Sequence, residues 1–187
     1  SKEFSSEDID FFKTNYFLDE ITSKLLSIRK IKKEEIKFFL EPSIKNVLPN
    51  PYILKDMDIA IERIEKAIIN KEKIGIFGDY DVDGATSTAI LGRYFELLNV
   101  PFEIYIPDRK KEGFGPNEIG FSKFIDLGVS LIFTVDCGTL SFEPIDFAKK
   151  KNIDVIVLDH HQSEINLPSA CAIVNPNRFD DRSELNY

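Results

Sequence analysis

The sequence predicts an α/β fold, a parallel sheet with helices on both faces, preceded by a helical amino-terminal segment. Three observations carry that expectation. Four short apolar runs rich in β-branched and aromatic residues follow residue 70: KIGIFG (73–78), FEIYI (102–106), LIFTV (131–135) and DVIVL (154–158). Helix-like stretches separate them, near 84–98, 117–127 and 141–151. The runs are almost continuously apolar, the pattern of strands covered on both faces, and they alternate with helices as parallel strands must. The expected division is a helical segment over 1–70 and a sheet-bearing domain over 71–187.

The helical segment reads as follows. Ser5 or Ser6 can cap a helix that carries Ile9, Phe12, Ile21, Leu25 and Ile28 toward a core. A shorter helix over 32–40 stops at Glu41-Pro42, because the residue before proline disfavours the α region. The stretch 42–51 reads as a turn-rich connection. A helix over 55–70 then sets Met57, Ala60, Ile61, Ile64, Ala67 and Ile68 on one face. Phe11, Phe12, Phe38 and Phe39 read as core residues rather than base-stacking platforms. Nothing in this segment carries chemistry.

Composition narrows the function classes. At 187 residues the chain can bury a sizeable core. No apolar run approaches the roughly 18–20 residues needed to cross a membrane, so no membrane partner is expected. The charged opening has no secretory apolar region. Two cysteines, Cys137 and Cys171, are too few for a disulfide framework, which makes a reducing cytoplasm the expected location. Ser1 stands first and Met57 is the only methionine, so a fragment of a longer chain is expected. A net charge of −8 argues against an overall basic nucleic-acid footprint.

The polar residues fall at the strand ends, where ligands gather in such sheets. The first strand runs into Asp79, Asp81 and Asp83, and the second into Asp108 and Arg109. The third runs into Asp136-Cys137-Gly138, and the fourth into Asp159-His160-His161, which holds both histidines of the chain. Any one aspartate could be a turn former or helix cap; all four ends together point to a metal. Converging carboxylates repel unless a hard cation neutralises them, and added imidazole shifts the preference toward Mn²⁺ or a similar ion. Two such ions about 3.5–4 Å apart can activate water and stabilise the leaving oxygen of a phosphate ester. Gly84 permits a tight turn, and the following helix offers its amino end to anionic groups. Arg109, in a glycine-containing loop, suits bidentate phosphate recognition. Cys137 reads as a small buried residue, since thiolate catalysis would need a base.

GDYDVDGATSTAIL, IPDRKKEGFGPN, TVDCGT and VLDHH, in this order and spacing, resemble motifs I to IV of the DHH phosphoesterase superfamily. Residues 40–176 more closely resemble the amino-terminal part of its RecJ-type branch of single-strand-specific exonucleases. The resemblance implies a DHH catalytic domain over 71–187 and 5′→3′ degradation of single-stranded DNA in repair and recombination, with Mn²⁺ or Mg²⁺. It implies single-stranded DNA as the partner, with a single-strand-binding protein and a helicase as further ones. By resemblance, Asp81, Asp83, Asp136 and His160 are metal ligands, with Asp136 bridging two ions. His161 faces substrate phosphate or metal, Arg109 contacts phosphate, and Asp79 and Asp159 support the ligands from behind. Phe77 stands where some members carry a metal-binding histidine. The family also supplies a later aspartate ligand, a DHHA1 domain and an oligonucleotide-binding fold, so low activity is expected of this segment alone. The alternatives are a phosphodiesterase of short oligonucleotides or cyclic dinucleotides, and a non-catalytic replication scaffold.

Overall fold

The helical opening is two helices rather than one. In the computed structural model, which describes residues 5–185, α1 (Ser6–Tyr16) is capped by Ser5, whose hydroxyl accepts the Asp8 N–H at 3.3 Å. It ends where Phe17 turns left-handed, at φ 53°. α2 (Glu20–Ile28) then starts afresh, because the Asp19 carboxylate accepts the N–H groups of Ile21 and Thr22 at 2.8 and 3.0 Å. The break changes the apolar face. Phe12 and Leu26 are buried with Ile36 and Ile9 is buried as well, whereas Ile21 and Leu25, expected in the core, are exposed. α3 (Ile36–Leu40) ends before Pro42 as expected, but Phe38 and Phe39 on it are half exposed. The connection expected over 42–51 contains a further turn of helix, α4 (Ile44–Val47).

Packing divides the chain into Ser1–Pro49 and Asn50–Tyr187. The helix expected at 55–70, α5 (Met57–Ile69), therefore belongs with the sheet and not with the helices before it. Its Ala60 and Ala67 are buried in the same cluster as strand residues, which moves the boundary from residue 70 to residue 49. Two alanines allow close approach to the sheet, and Met57, Ile64 and Ile68 close over it from the sides.

All four expected strands form: β1 (Ile74–Gly78), β2 (Phe102–Tyr105), β3 (Leu131–Val135) and β4 (Asp154–Leu158). A fifth, β5 (Ala172–Val174), has only three residues and gave no periodic signal. The sheet is parallel throughout, in the order β2-β1-β3-β4-β5. The connecting helices are α6 (Val82–Leu97), α7 (Arg109–Glu112), α8 (Glu118–Asp126) and α9 (Phe142–Lys150). One sheet face packs Ile74, Ile76, Leu131, Phe133 and Ile156 against α5 and α6. The other packs Phe77, Ile132, Val155 and Val157 against Phe121 and Phe124 of α8 and Ile145 and Ala148 of α9. Burial on both faces explains the unbroken apolar runs.

Register positions the site. Gly78 pairs with Val135, Val135 with Leu158, and Leu158 with Val174. The residues one step beyond this level row are Asp79, Asp136, Asp159 and Asn175, all four polar and buried. The order also reverses between β1 and β3, and open α/β sheets offer a crevice at such a point.

Candidate metal centre

Beyond β1 the chain turns sharply into α6. The Asp81 carboxylate caps that helix, accepting the Gly84 N–H at 3.0 Å. A Cβ on Gly84 would lie 2.4 Å from the Asp79 carbonyl oxygen, so only glycine lets the helix start this close to the strand end. Asp79 accepts its neighbour's N–H, from Tyr80, at 2.7 Å and is buried. Asp83 lies in the first turn of α6 and is exposed.

Beyond β3, Asp136 adopts a left-handed conformation at φ 60°, which aspartate tolerates better than bulkier residues. Its N–H reaches the Leu158 carbonyl at 2.9 Å, extending the β3–β4 ladder by one residue. The side chain is buried. Oδ1 lies 3.0 Å from His160 Nε2, and Oδ2 has no hydrogen-bond partner among the described residues.

Beyond β4, Asp159 organises the turn that carries both histidines. One oxygen accepts the Thr139 N–H at 3.0 Å. The other accepts the N–H groups of His160 and His161 at 2.7 and 3.2 Å and meets His161 Nδ1 at 2.7 Å. With Nδ1 held on this carboxylate, His161 presents Nε2 as its free ring nitrogen.

Two sets of potential ligand atoms result. Asp79, Asp81 and Asp136 bring carboxylate oxygens within 4.8 Å of one another, and Asp136, His160 and His161 do the same. Asp136 belongs to both. Asp83, expected among the ligands, lies outside both sets; it lines a cleft with Asp136 and His160. Asp79, expected behind the ligands, offers an oxygen within ligand reach.

Charge is crowded here. Burial and the neighbouring Asp81 push the Asp136 carboxyl up to about 6. The Gly84 N–H holds Asp81 below the ordinary carboxylate range, despite partial desolvation. Burial would raise Asp159, but its bonds to Thr139 and His161 outweigh that and keep it low. The Asp159 carboxylate in turn raises His161. Burial pushes the Cys137 thiol up, leaving it as an inert wall. A buried carboxylate with one orphaned oxygen, flanked by two more carboxylates and two imidazoles, fits a hard divalent cation. Oxygen donors suit Mg²⁺, and the imidazoles favour Mn²⁺.

Arg109 opens α7 after Asp108, which caps that turn by accepting the Lys110 N–H at 2.9 Å. Its guanidinium stacks over the Tyr80 ring, 4.7 Å from the centroid, so the residue between Asp79 and Asp81 carries the arginine beside the acidic loop. Glu112, a conceivable partner for Arg109, is instead engaged by the Tyr105 hydroxyl and by Asn117. The adjoining cleft, about 440 Å³, is lined by Asp79, Asp136, His161, Phe114 and Leu140 among others. Sequence reasoning passed over Tyr80, Thr139, Asn175 and Asn177. The last two sit in VNPN, which reads as an ordinary turn; only strand register reveals Asn175 as a fourth polar residue of the buried row.

Such a sheet, with acidic and histidine side chains gathered beyond its strand ends, makes this an α/β domain with a candidate divalent-metal centre. The family profile described as "DHH family, N-terminal domain" matches residues 73–185, and the chain belongs to the DHH family. It is 45% identical over 127 residues to the single-stranded-DNA-specific exonuclease RecJ of Bacillus subtilis, covering 68% of this chain and 16% of that protein. To the Haemophilus influenzae protein of the same name it is 40% identical over 139 residues, covering 74% and 24%. A crystal structure of exonuclease RecJ bound to manganese superposes with a TM-score of 0.63 at 32% identity, covering 69% of this chain and 33% of that one. RecJ of Thermus thermophilus in complex with Mn²⁺ gives 0.72 over 95% of this chain and 24% of that one; at 23% identity it speaks to the fold. The chain thus spans between about a sixth and a quarter of the length of these curated relatives.

Proposed function

We propose that this chain is the metal-bearing part of a phosphodiester hydrolase acting on single-stranded DNA, in its finer form a 5′→3′ exonuclease of DNA repair and recombination. One observation carries the chemical half: Asp136 is buried, has an orphaned oxygen, and stands where Asp79 and Asp81 meet His160 and His161. The names of the RecJ relatives support the substrate. Mn²⁺ or Mg²⁺, two ions in the complete site, would supply a water nucleophile at neutral pH and charge stabilisation at the leaving oxygen.

The chain's own residues then have distinct tasks. Asp136 is the ligand common to both sets, with Asp81 and His160 beside it. Asp79 completes the acidic set, and Asp83 approaches from the neighbouring cleft. Asp159 fixes the His161 ring so that Nε2 faces the cleft, toward metal or phosphate. Arg109, on its Tyr80 platform, grips a strand phosphate, whereas the Gly84 N–H expected to face that anion is taken by the Asp81 carboxylate. A single-strand-binding protein and a helicase as partners rest on the family resemblance alone.

The test is a Mn²⁺ titration of the chain followed by calorimetry, with cleavage of a 5′-phosphorylated single strand as the second readout. Wild type should take up Mn²⁺, and Asp136→Ala should lose uptake and any cleavage while keeping a native-like circular dichroism spectrum. Unchanged uptake in Asp136→Ala overturns the reading.

A further inference from the structure

Asn175 is the most deeply buried polar residue of the row beyond the strands, with no solvent exposure. It touches none of the candidate ligand atoms, yet its amide is fully engaged. Nδ2 donates to the Thr139 hydroxyl at 2.8 Å and to the His161 carbonyl at 2.9 Å. Oδ1 accepts the Asn177 N–H at 2.8 Å. A carbonyl on one side and an N–H on the other fix which way the amide points. Asn177 then donates through its own side chain to the His160 carbonyl.

The two asparagines therefore hold the main-chain carbonyls of both histidines. Thr139 closes the circuit, since its N–H is bound to Asp159, whose other oxygen holds the His161 ring. The loops beyond β3, β4 and β5 are joined through one primary amide. We propose that Asn175, with Asn177 as its extension, is a positioning residue that sets where the His160 and His161 rings stand relative to Asp136. This rests on the metal-centre reading above. The histidine turn has no regular secondary structure of its own. Asp159 controls one ring and two N–H groups; without Asn175 and Asn177 the carbonyl side of that turn has no side-chain anchor among the described residues. Outer partners of this kind typically govern metal affinity by about 10- to 100-fold.

Because the chain has only two histidines, a long-range ¹H–¹⁵N imidazole spectrum reports the two site rings and nothing else. Asn175→Ala in the metal-free chain should shift the ring-nitrogen signals, and in a Mn²⁺ titration it should weaken affinity by about tenfold or more. Ile156→Val, a buried change in the middle of β4, should lower the melting midpoint while moving neither readout. If Asn175→Ala lowers the midpoint but leaves the imidazole signals and Mn²⁺ affinity as in wild type, the residue is merely structural and the inference falls. If Asn175→Ala does not fold, Asn177→Ala decides: it removes the donor to the His160 carbonyl and keeps the Asn177 N–H bound to Asn175. A shift of the ring signals with a several-fold loss of affinity supports the inference, and wild-type values overturn it. A wild-type chain that takes up no Mn²⁺ sinks the metal reading, and the imidazole comparison still judges the positioning.

Discussion

Under the proposed function, strand anchoring and metal binding separate most clearly at Arg109 and Tyr80. The guanidinium is held by a ring face at 4.7 Å, a contact of about 0.5–1 kcal/mol at an exposed site, enough to bias its position without locking it. Arg109→Ala should weaken single-strand binding and reduce the salt slope of log K by about 0.7, one phosphate contact on a single strand. Its Mn²⁺ affinity should stay as in wild type; loss of metal binding by calorimetry would make the arginine structural. Tyr80→Leu should produce a weaker version of the same defect, and Tyr80→Phe almost none. Gly84 makes the opposite kind of demand. A Cβ there meets the Asp79 carbonyl at 2.4 Å, so Gly84→Ala must push α6 off the strand end and separate Asp81 from Asp79. A cost of about 1–3 kcal/mol from overpacking should accompany a loss of Mn²⁺ affinity, read by thermal melting and titration of one sample. Native affinity in that variant would show that the two aspartates need not be held this close. Asp81, Asp136, the histidines and Arg109 stood out in the sequence as charged groups at strand ends. The places of Asp79 and Asp83 did not follow from it, Asp79 offering a ligand atom and Asp83 lying outside both sets. Tyr80 and Asn175 did not stand out, since an aromatic in a loop and an asparagine before proline have many other uses.

At the scale of elements, what was legible followed burial. Strands covered on both faces announced themselves as unbroken apolar runs, and β5 escaped because three residues between loops show no period. The split of the first helix turned on Asp19, whose capping bonds outweigh an apolar spacing that continues across the break. Helix α5 was seen but grouped with the wrong neighbours, since periodicity shows that a helix has an apolar face and not what the face covers. What secures α5 is partly electrostatic. Arg63 donates to Glu72 at 2.7 Å and to Asp154, at the start of β4, at 2.6 Å, while Ser130 also donates to Glu72 at 2.7 Å. Burial pushes the Glu72 carboxyl up, but Arg63 and Ser130 together outweigh it and hold the group below its ordinary value of 4.5. A carboxyl lowered on folding contributes stability that is complete above its unfolded value and disappears as pH falls through the folded one. Glu72→Gln should therefore cost about 1.5–3 kcal/mol at neutral pH, the range of a charged hydrogen bond. Denaturant melts at successive pH values should show the gap from wild type closing below about pH 4.5. A gap that stays constant into acid would remove the ionised Glu72–Arg63 contact from the stability of this unit.

At the scale of the whole molecule, stability and function oppose one another around the row beyond the strands. Nearly all of the sheet is apolar on both faces, yet four polar residues are buried along one level, three of them carboxylates. Asp159 is compensated by four hydrogen bonds, and Asn175 by three. Asp136 is not: one oxygen meets His160, the other meets nothing, and Asp79 and Asp81 crowd it with like charge. A fold selected for stability alone would carry an asparagine or an apolar residue there, because an uncompensated buried charge is among the costliest features a core can hold. On the proposed metal reading, a bound cation accounts for this arrangement. It would remove the repulsion, and by mass action it would stabilise the folded chain by about 2.7 kcal/mol at a concentration 100 times its dissociation constant. Asp136→Asn should thus have two effects of opposite sign. The metal-free variant should melt higher than metal-free wild type at neutral pH, because the buried charge is gone. Added Mn²⁺ should raise the wild-type midpoint, reversibly with chelator, and leave the variant nearly unmoved. Hydrogen exchange should locate the effect: with Mn²⁺, protection should rise at the Asp136 and Asp159 amides, which bond the Leu158 and Val174 carbonyls at 2.9 and 3.1 Å. If Asp136→Asn melts lower than wild type without metal, the buried carboxylate is stabilising in itself, and its burial needs no cation to explain it.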